Sequence, residues 1–262
     1  MKDIILLLPY FGNLPNYFQL WLDSAGKNPN INFLLLTDNT VEEFKIPENV
    51  NVVKMDLQIV RERVKKVLPY KFELSKPYKI CDYKPIYGLI FSDLITGYKF
   101  WGHCDSDIIF GKLDDFITDK ILKNYDKIYL SGHLSLIRNN EQMNNIPLQD
   151  SQDSLITAKN IYKIRYIAHY DESPLLINKY QDSKARIYKQ IDCADVLYMQ
   201  KQFRLTTDYG TNSTCYFHYD KHGRIYGYDE NQQFIKEYVY VHLQKRKMNI
   251  SLEEDHEEYY SS

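Results

Sequence analysis

The sequence predicts an α/β fold built on a mainly parallel central sheet, and three observations predict it. Short, uninterrupted apolar runs, Ile4 to Leu8 and Ile31 to Leu36, read as strands buried on both faces. Stretches of helical periodicity alternate with them, the pattern of crossover connections between parallel strands. Each run closes on a short polar turn, Pro9-Tyr10-Phe11-Gly12 after the first and Thr37-Asp38-Asn39 after the second. Sheets of this kind bind ligands at the carboxyl ends of their strands, so the chemistry is expected in those turns.

At 262 residues, with 44% hydrophobic and 26% charged, the chain can bury one continuous core and is read as a single domain. A net charge of -2 and a pI near 6.4 give no global positive field, and nucleic acid is not expected as a partner. The 24 tyrosines suit stacking on bases or sugar rings, but suit β-sheet surfaces equally, and the richness in Lys, Asn, Ile and Tyr is also what an AT-rich genome produces. Cys81, Cys104, Cys193 and Cys215 form no C-x-x-C pair, which fits reduced thiols and a cytoplasmic protein. The first apolar run stops at Pro9, too short for a signal peptide or a membrane span, and no later run reaches the length of a span. Membrane contact is therefore expected to be peripheral.

Taken in order, Pro15 to Ala25 has helical spacing and ends at Gly26, completing a βαβ unit with the first two strands. Asn51 to Lys54 is a third strand. Leu57 to Leu68 is an amphipathic helix with apolar residues at Ile59, Val60, Val64, Val67 and Leu68. Pro85 fits the first turn of a helix running through Phe91 and Leu94. Tyr98 to Cys104 is a strand that exits into Asp105-Ser106-Asp107, and Lys127 to Leu130 is another, closed by Ser131-Gly132-His133. Glu141 to Gln190 shows no clean period and reads as short helices and loops on an acceptor side. Cys215 to Tyr219 and Arg224 to Tyr228 flank Asp220-Lys221-His222-Gly223 as a β-hairpin, and Tyr238 to Leu243 is the last strand. Residues 251–262 read as a disordered acidic tail.

Asp105 and Asp107 carry the chemistry. Two carboxylates held that close repel unless a cation sits with them, and hard cations such as Mg²⁺ and Mn²⁺ take oxygen ligands while leaving positions for substrate phosphates. An Asp-x-Asp triplet is weak alone, but this one follows an apolar strand, lies between Trp101 and Phe110, and precedes Ile108-Ile109. An extended backbone would add His103 to the same face. His103 is read as packing beside the carboxylates and not as a ligand.

The segment Phe100 to Gly111 resembles the Asp-x-Asp region of GT-A glycosyltransferases. More narrowly, the chain resembles a little-characterised GT-A-like family from bacterial capsule and lipopolysaccharide gene clusters. Pro9-Tyr10-Phe11-Gly12, Thr37-Asp38-Asn39, Cys81-Asp82-Tyr83-Lys84-Pro85, Ser131-Gly132-His133-Leu134 and Val241-His242-Leu243-Gln244-Lys245-Arg246 carry the likeness. It implies a GT-A fold over residues 1–250, with a nucleotide-binding half at 1–110 and an acceptor half at 111–250.

The resemblance also implies roles. His242 would complete a metal shell with Asp105 and Asp107; the alternative is a half-buried strand histidine. Asp82 and Lys84 would lie beside the nucleotide. Tyr10, Phe11 and Asp38 would hold the base, with packing under the loop as the other reading of Phe11. Gly132 and His133 would approach the donor sugar. Lys245 and Arg246 would neutralise a leaving diphosphate, or form a solvated basic end, or touch an anionic bilayer.

The reaction so implied is hexose transfer from a UDP-sugar, galactose or glucose, with Mn²⁺ or Mg²⁺, to a glycan acceptor that is lipid-linked. Asp171 and Glu172 are the candidates for acceptor binding or for the base, with Asp192 and Asp208 behind them. Two other readings stand beside it. A metal-dependent nucleotidyltransferase or pyrophosphatase would also use paired aspartates, but the chain has no glycine-rich phosphate loop. A non-catalytic glycan-binding protein would bind sugar without nucleotide or metal.

Overall fold

The computed structural model describes residues 3–130, 132–149, 157–198, 202–206 and 214–249. Ser131, Asp208 and the expected acidic tail lie outside them. The first half lays down four strands, β1 (Ile4–Tyr10), β2 (Ile31–Thr37), β3 (Val50–Lys54) and β4 (Phe100–Cys104). They are followed by β5 (Ile108–Phe110), β6 (Lys127–Ile128), β7 (Leu134–Arg138) and β8 (Ile187–Tyr188). The central sheet has seven strands in the order β3-β2-β1-β4-β7-β6-β8. Four of its neighbouring pairs are parallel and two, those made by β7, are antiparallel. The mainly parallel α/β sheet expected from the apolar runs is the one observed.

Why β1 is apolar throughout is visible in its packing. Ile5 and Leu7 belong to the core on one face, with Trp101, Tyr83 and Tyr87. Ile4, Leu6 and Leu8 belong to the core on the other, with Phe18, Trp21 and Phe33. The strand buries alternate side chains on opposite faces, so no position can be polar. Its register with β4 runs only to Leu7↔His103, while its register with β2 continues to Tyr10↔Thr37. Pro9, which has no N–H to give, sits where the β4 partner is already gone. The sheet therefore parts between β1 and β4 at their carboxyl ends, and the cleft opens there.

Two helices fix this half. α1 (Phe18–Gly26) buries Phe18, Trp21, Leu22 and Ala25, and its Trp21 ring packs against Phe33 and Phe110. α2 (Leu57–Val67) is capped by the Asp56 carboxylate, which accepts the Ile59 N–H at 2.8 Å, and ends on Lys65 and Lys66. Of its expected apolar stripe, Val60 and Val64 are fully buried but Ile59 is 44% exposed.

Three expectations need correction. Pro85 does not open an α-helix: it lies near the end of a 3₁₀ run, Pro77–Ile86, and a single α-turn, Tyr87–Ile90, follows. The α pattern starts only beyond it, at Tyr87. The strand β7, unforeseen, inserts antiparallel between β4 and β6. The single last strand expected over Tyr238 to Leu243 is divided between two sheets.

That division matters for the site. After β9 (Ala194–Asp195), the chain forms β10 (Tyr216–Tyr219), β11 (Ile225–Tyr228) and β12 (Phe234–Tyr238), an antiparallel sheet that contains the expected hairpin, with Gly223 at φ +87° in its turn. At Val239 the backbone turns away, its N–H donating to the Asp192 carbonyl and its carbonyl accepting the Gly111 N–H. β13 (Tyr240–His242) then pairs antiparallel with β5 and parallel with β9. Among the described residues no helix is long and apolar enough to cross a membrane, and the four cysteines form no disulfide.

Candidate functional site

The loop between β4 and β5 is built for rigidity. Asp105 donates its N–H to the His133 carbonyl at 3.0 Å, and its own carbonyl accepts the Trp21 indole N–H at 3.0 Å. Asp107 offers its carbonyl to the Leu243 N–H at 2.8 Å, one residue beyond the β13 position, His242, that faces Ile108. The loop thus hangs from α1 on one side and from the end of β13 on the other. Sequence-distant residues 105, 107 and 242 are brought together by this pairing alone.

Asp107 is 1% exposed. One carboxylate oxygen, Oδ2, accepts the Lys245 N–H at 2.7 Å. The other, Oδ1, is buried with no hydrogen-bond partner among the described residues and faces His242 Nε2 at 3.6 Å, too far for a hydrogen bond. A buried carboxylate oxygen left bare is costly, and a cation is the natural partner for it. Burial works against its charge, yet neighbouring His242 and the Lys245 N–H hold the Asp107 carboxyl below the usual range. Burial pushes Asp105 the other way, up, against the pull of Lys84. One ligand atom each from Asp105, Asp107 and His242 lies within 4.8 Å of the others, a mixed carboxylate and imidazole set that could hold a metal ion.

His242 is 7% exposed, and its Nδ1 lies 2.7 Å from Asp195 Oδ1. Its ring stacks on His133 at 4.3 Å with 20° between the planes. Burial alone would lower its pKa, but Asp107 and Asp195 raise it to about 10. His133 is the opposite case: burial and then the neighbouring His242 lower it to about 3, so it stays neutral, with Nδ1 2.7 Å from the Tyr240 hydroxyl.

Lys84 is a second organising group. Its buried ammonium reaches Asp105 Oδ1 at 2.6 Å, Asp171 Oδ2 at 2.9 Å and the Gly132 carbonyl at 2.9 Å. Burial opposes its charge, but the two carboxylates raise its pKa well above the usual value. Asp171 Oδ1 is buried and has no hydrogen-bond partner among the described residues. Gly132 fits this corner because a Cβ there would stand 2.4 Å from Glu172 Cγ and 2.6 Å from Asp171 Oδ2.

These groups border a cleft of about 1520 Å³ at the parted ends of β1 and β4. Of the residues singled out in the sequence, Tyr10, Phe11, Lys84, Asp105, Asp107, Asp171, Glu172, His242, Lys245 and Arg246 line it. Phe11 is 7% exposed and belongs to the core, so it mainly packs under the loop. Lys245 Nζ contacts the Tyr78 hydroxyl and sits 3.7 Å from the centre of its ring. Arg246 lies over the Phe203 ring and donates to the Leu197 carbonyl at 2.9 Å. Neither is a free solvated end.

Others fall elsewhere. Asp82 is wholly buried away from the cleft, taking Lys79 Nζ at 2.6 Å and the N–H groups of Ala168 and Tyr170. It anchors the backbone that leads into Asp171 and does not reach a ligand there. Asp38 is exposed beyond β2, outside the cleft lining, and its carbonyl accepts from Lys54 Nζ. His103 is buried in β4, with Tyr87 edge-on to it, and is not part of the cation cluster. His133 and Asp192 line a smaller cavity of about 340 Å³ behind the His133–His242 stack, where Asp192 meets the Tyr129 hydroxyl.

Sequence reasoning missed Asp195, Tyr17 and Tyr78. Asp195 did leave a signal: it is a lone carboxylate in the apolar run Cys193-Ala194-Asp195-Val196-Leu197. The tyrosines, two among 24, left none.

Comparison with known proteins gives a family and a loose structural likeness. A model of a family of unknown function, DUF6625, matches residues 6–261. No curated protein matches the chain. Among solved structures, a galactosyltransferase, LgtC, in complex with donor and acceptor sugar analogues is similar at 10% identity and a TM-score of 0.35, over 74% of this chain and 75% of that one. An active-site mutant of LgtC is similar at 9% identity and a TM-score of 0.40, over 92% of this chain and 86% of that one.

Proposed function

The chain belongs to DUF6625, a family of unknown function, and from its own site we propose that it is a metal-dependent glycosyltransferase with a nucleotide-diphosphate sugar, UDP-galactose or UDP-glucose, as donor. The observation that carries the reading is the bare, buried Asp107 Oδ1 beside Asp105 and His242 at the mouth of the parted sheet. The Asp-x-Asp resemblance of the same segment supports the donor class. In this reading the 1–110 and 111–250 stretches act as donor and acceptor halves of one GT-A domain.

Asp105, Asp107 and His242 would hold the cation, which when bound offsets the charge of the departing diphosphate. Lys245 and Arg246, lining the same cleft, add positive charge on that side. Tyr10, half-buried at the end of β1, lines the wall where a base can stack. Asp171 commits Oδ2 to Lys84 and leaves Oδ1 to accept a hydrogen bond from a sugar hydroxyl. Glu172, exposed on the cleft and unpaired with Lys84, is the residue we assign to the acceptor side, as the base if the reaction inverts. A lipid-linked glycan, met by peripheral contact with a membrane face during surface polysaccharide synthesis, is the acceptor that the sequence resemblance implies.

The test is turnover without acceptor. Wild-type protein incubated with UDP-galactose or UDP-glucose and Mn²⁺ is expected to release UDP slowly, and to stop on addition of EDTA or in Asp105→Ala. Glycan binding that needs neither nucleotide nor metal and survives Asp105→Ala would replace this reading with the glycan-binding one.

A further inference from the structure

His242 touches two carboxylates on opposite edges of its ring. Nε2 faces Asp107 Oδ1 across the candidate cation site, while Nδ1 is 2.7 Å from Asp195 Oδ1. Asp195 is itself clamped. Its Oδ1 also accepts Gln244 Nε2 at 2.8 Å, and its Oδ2 accepts the Thr206 hydroxyl at 3.0 Å. It is carried on β9, which runs parallel to β13 with Asp195 in register with His242. The contact is thus set by strand pairing, with both oxygens of Asp195 engaged by neighbouring side chains.

We propose that Asp195 is a positioning residue for the cation site: by accepting the Nδ1–H of His242 it fixes the tautomer whose Nε2 lone pair points at the metal. The proposal rests on the cation-site reading given above and names a residue outside it. A ligating imidazole needs one nitrogen bare and the other held, and a carboxylate holds it while making the ring a stronger donor. Without Asp195, His242 can turn about χ1 and χ2 or present the protonated nitrogen to the cation. The His133 ring stacked at 4.3 Å fixes the plane of His242 but makes no choice between its nitrogens. Selecting the nitrogen falls to Asp195.

The experiment is a double-mutant cycle on Mn²⁺ affinity, read by electron paramagnetic resonance of free Mn²⁺ in the absence of any nucleotide or sugar. Asp195→Ala is expected to weaken Mn²⁺ binding roughly 10–100-fold, the usual cost of losing such a partner. Asp195→Asn, which keeps an acceptor oxygen, is expected to recover most of that loss. In a His242→Ala background, Asp195→Ala is expected to add nothing, because its effect passes through the missing imidazole. A weakening of equal size in both backgrounds would make Asp195 merely structural and overturn the proposal, as would unchanged affinity in Asp195→Ala. Thr206→Val, which loosens Asp195 without removing it, keeps the test alive should Asp195→Ala not fold, and is expected to weaken binding less than His242→Ala does; no change at all in that variant would count against the clamp. Wild-type protein that binds no Mn²⁺ would instead sink the cation site itself, a result distinguishable from a wild type that binds and an Asp195→Ala that binds equally.

Discussion

Lys84 Nζ stands 2.6 Å from one carboxylate and 2.9 Å from another, and nothing in the buried corner could replace it. Removing one member of a buried ionic cluster strands the others, at a cost of about 3–5 kcal/mol. Lys84→Met is therefore expected to lower unfolding free energy by that order, measured by urea denaturation, whereas Glu172→Gln, at an exposed carboxylate, is expected to leave it within about 0.5 kcal/mol. Lys127 gives a pH signature. It is buried, bonded to the Ser135 hydroxyl and set 5.0 Å from the centre of the Tyr180 ring, and burial lowers its amine from 10.5 to about 7. Between those values the unfolded chain binds a proton that the fold does not, so this group makes stability rise as pH climbs from about 7 to about 10.5. Below 7 its penalty is constant. Lys127→Met is expected to flatten that rise, so wild type should gain stability relative to the variant from pH 7 to pH 10; a difference independent of pH would contradict the buried-amine account.

At the scale of elements, the site depends on strands that end where the chemistry begins. β4 carries Gly102 between β1 and β7, where a Cβ would lie 2.3 Å from the Ser135 carbonyl. Gly102→Ala must push β7 off β4, and an overpacking cost of about 1–3 kcal/mol is expected, visible in thermal or urea unfolding; a neutral effect would mean that β7 yields freely. Much of this half was legible in the sequence because its elements declare themselves locally. β1 and β2 are short apolar runs, α2 carries an amphipathic stripe, and, farther along the chain, the Asp220-to-Gly223 turn announces a hairpin. The misread elements depend on distant partners. β7 is a strand because β4 and β6 flank it, and the break at Val239 exists because Asp192 and Gly111 claim its backbone groups. A local pattern holds no trace of either.

Across the whole molecule, the same division separates what the site revealed in advance from what it did not. Asp105 and Asp107 were readable because a charged pair at the exit of an apolar strand is unusual within a few residues. His242, Lys245 and Arg246 were singled out through a family resemblance, and they line the same cleft as Asp107 because β13 pairs with β5, so position 242 falls beside position 107. Asp82 shows the limit of that route. It sits in the expected segment but turns inward to hold the N–H groups of Ala168 and Tyr170, just before Asp171, and its role is visible only once both segments are packed together. The loop near residue 105 and the strand near residue 242 thus bring Asp105, Asp107 and His242 together at the edge of one cleft, where we propose that they hold a cation. The most direct test is calorimetric titration of UDP into the protein with Mn²⁺ and again with EDTA, repeated for Asp107→Ala. Binding that requires Mn²⁺ and disappears in Asp107→Ala is the predicted result; UDP binding of equal strength with EDTA, or in the variant, or no UDP binding under any condition, would contradict it.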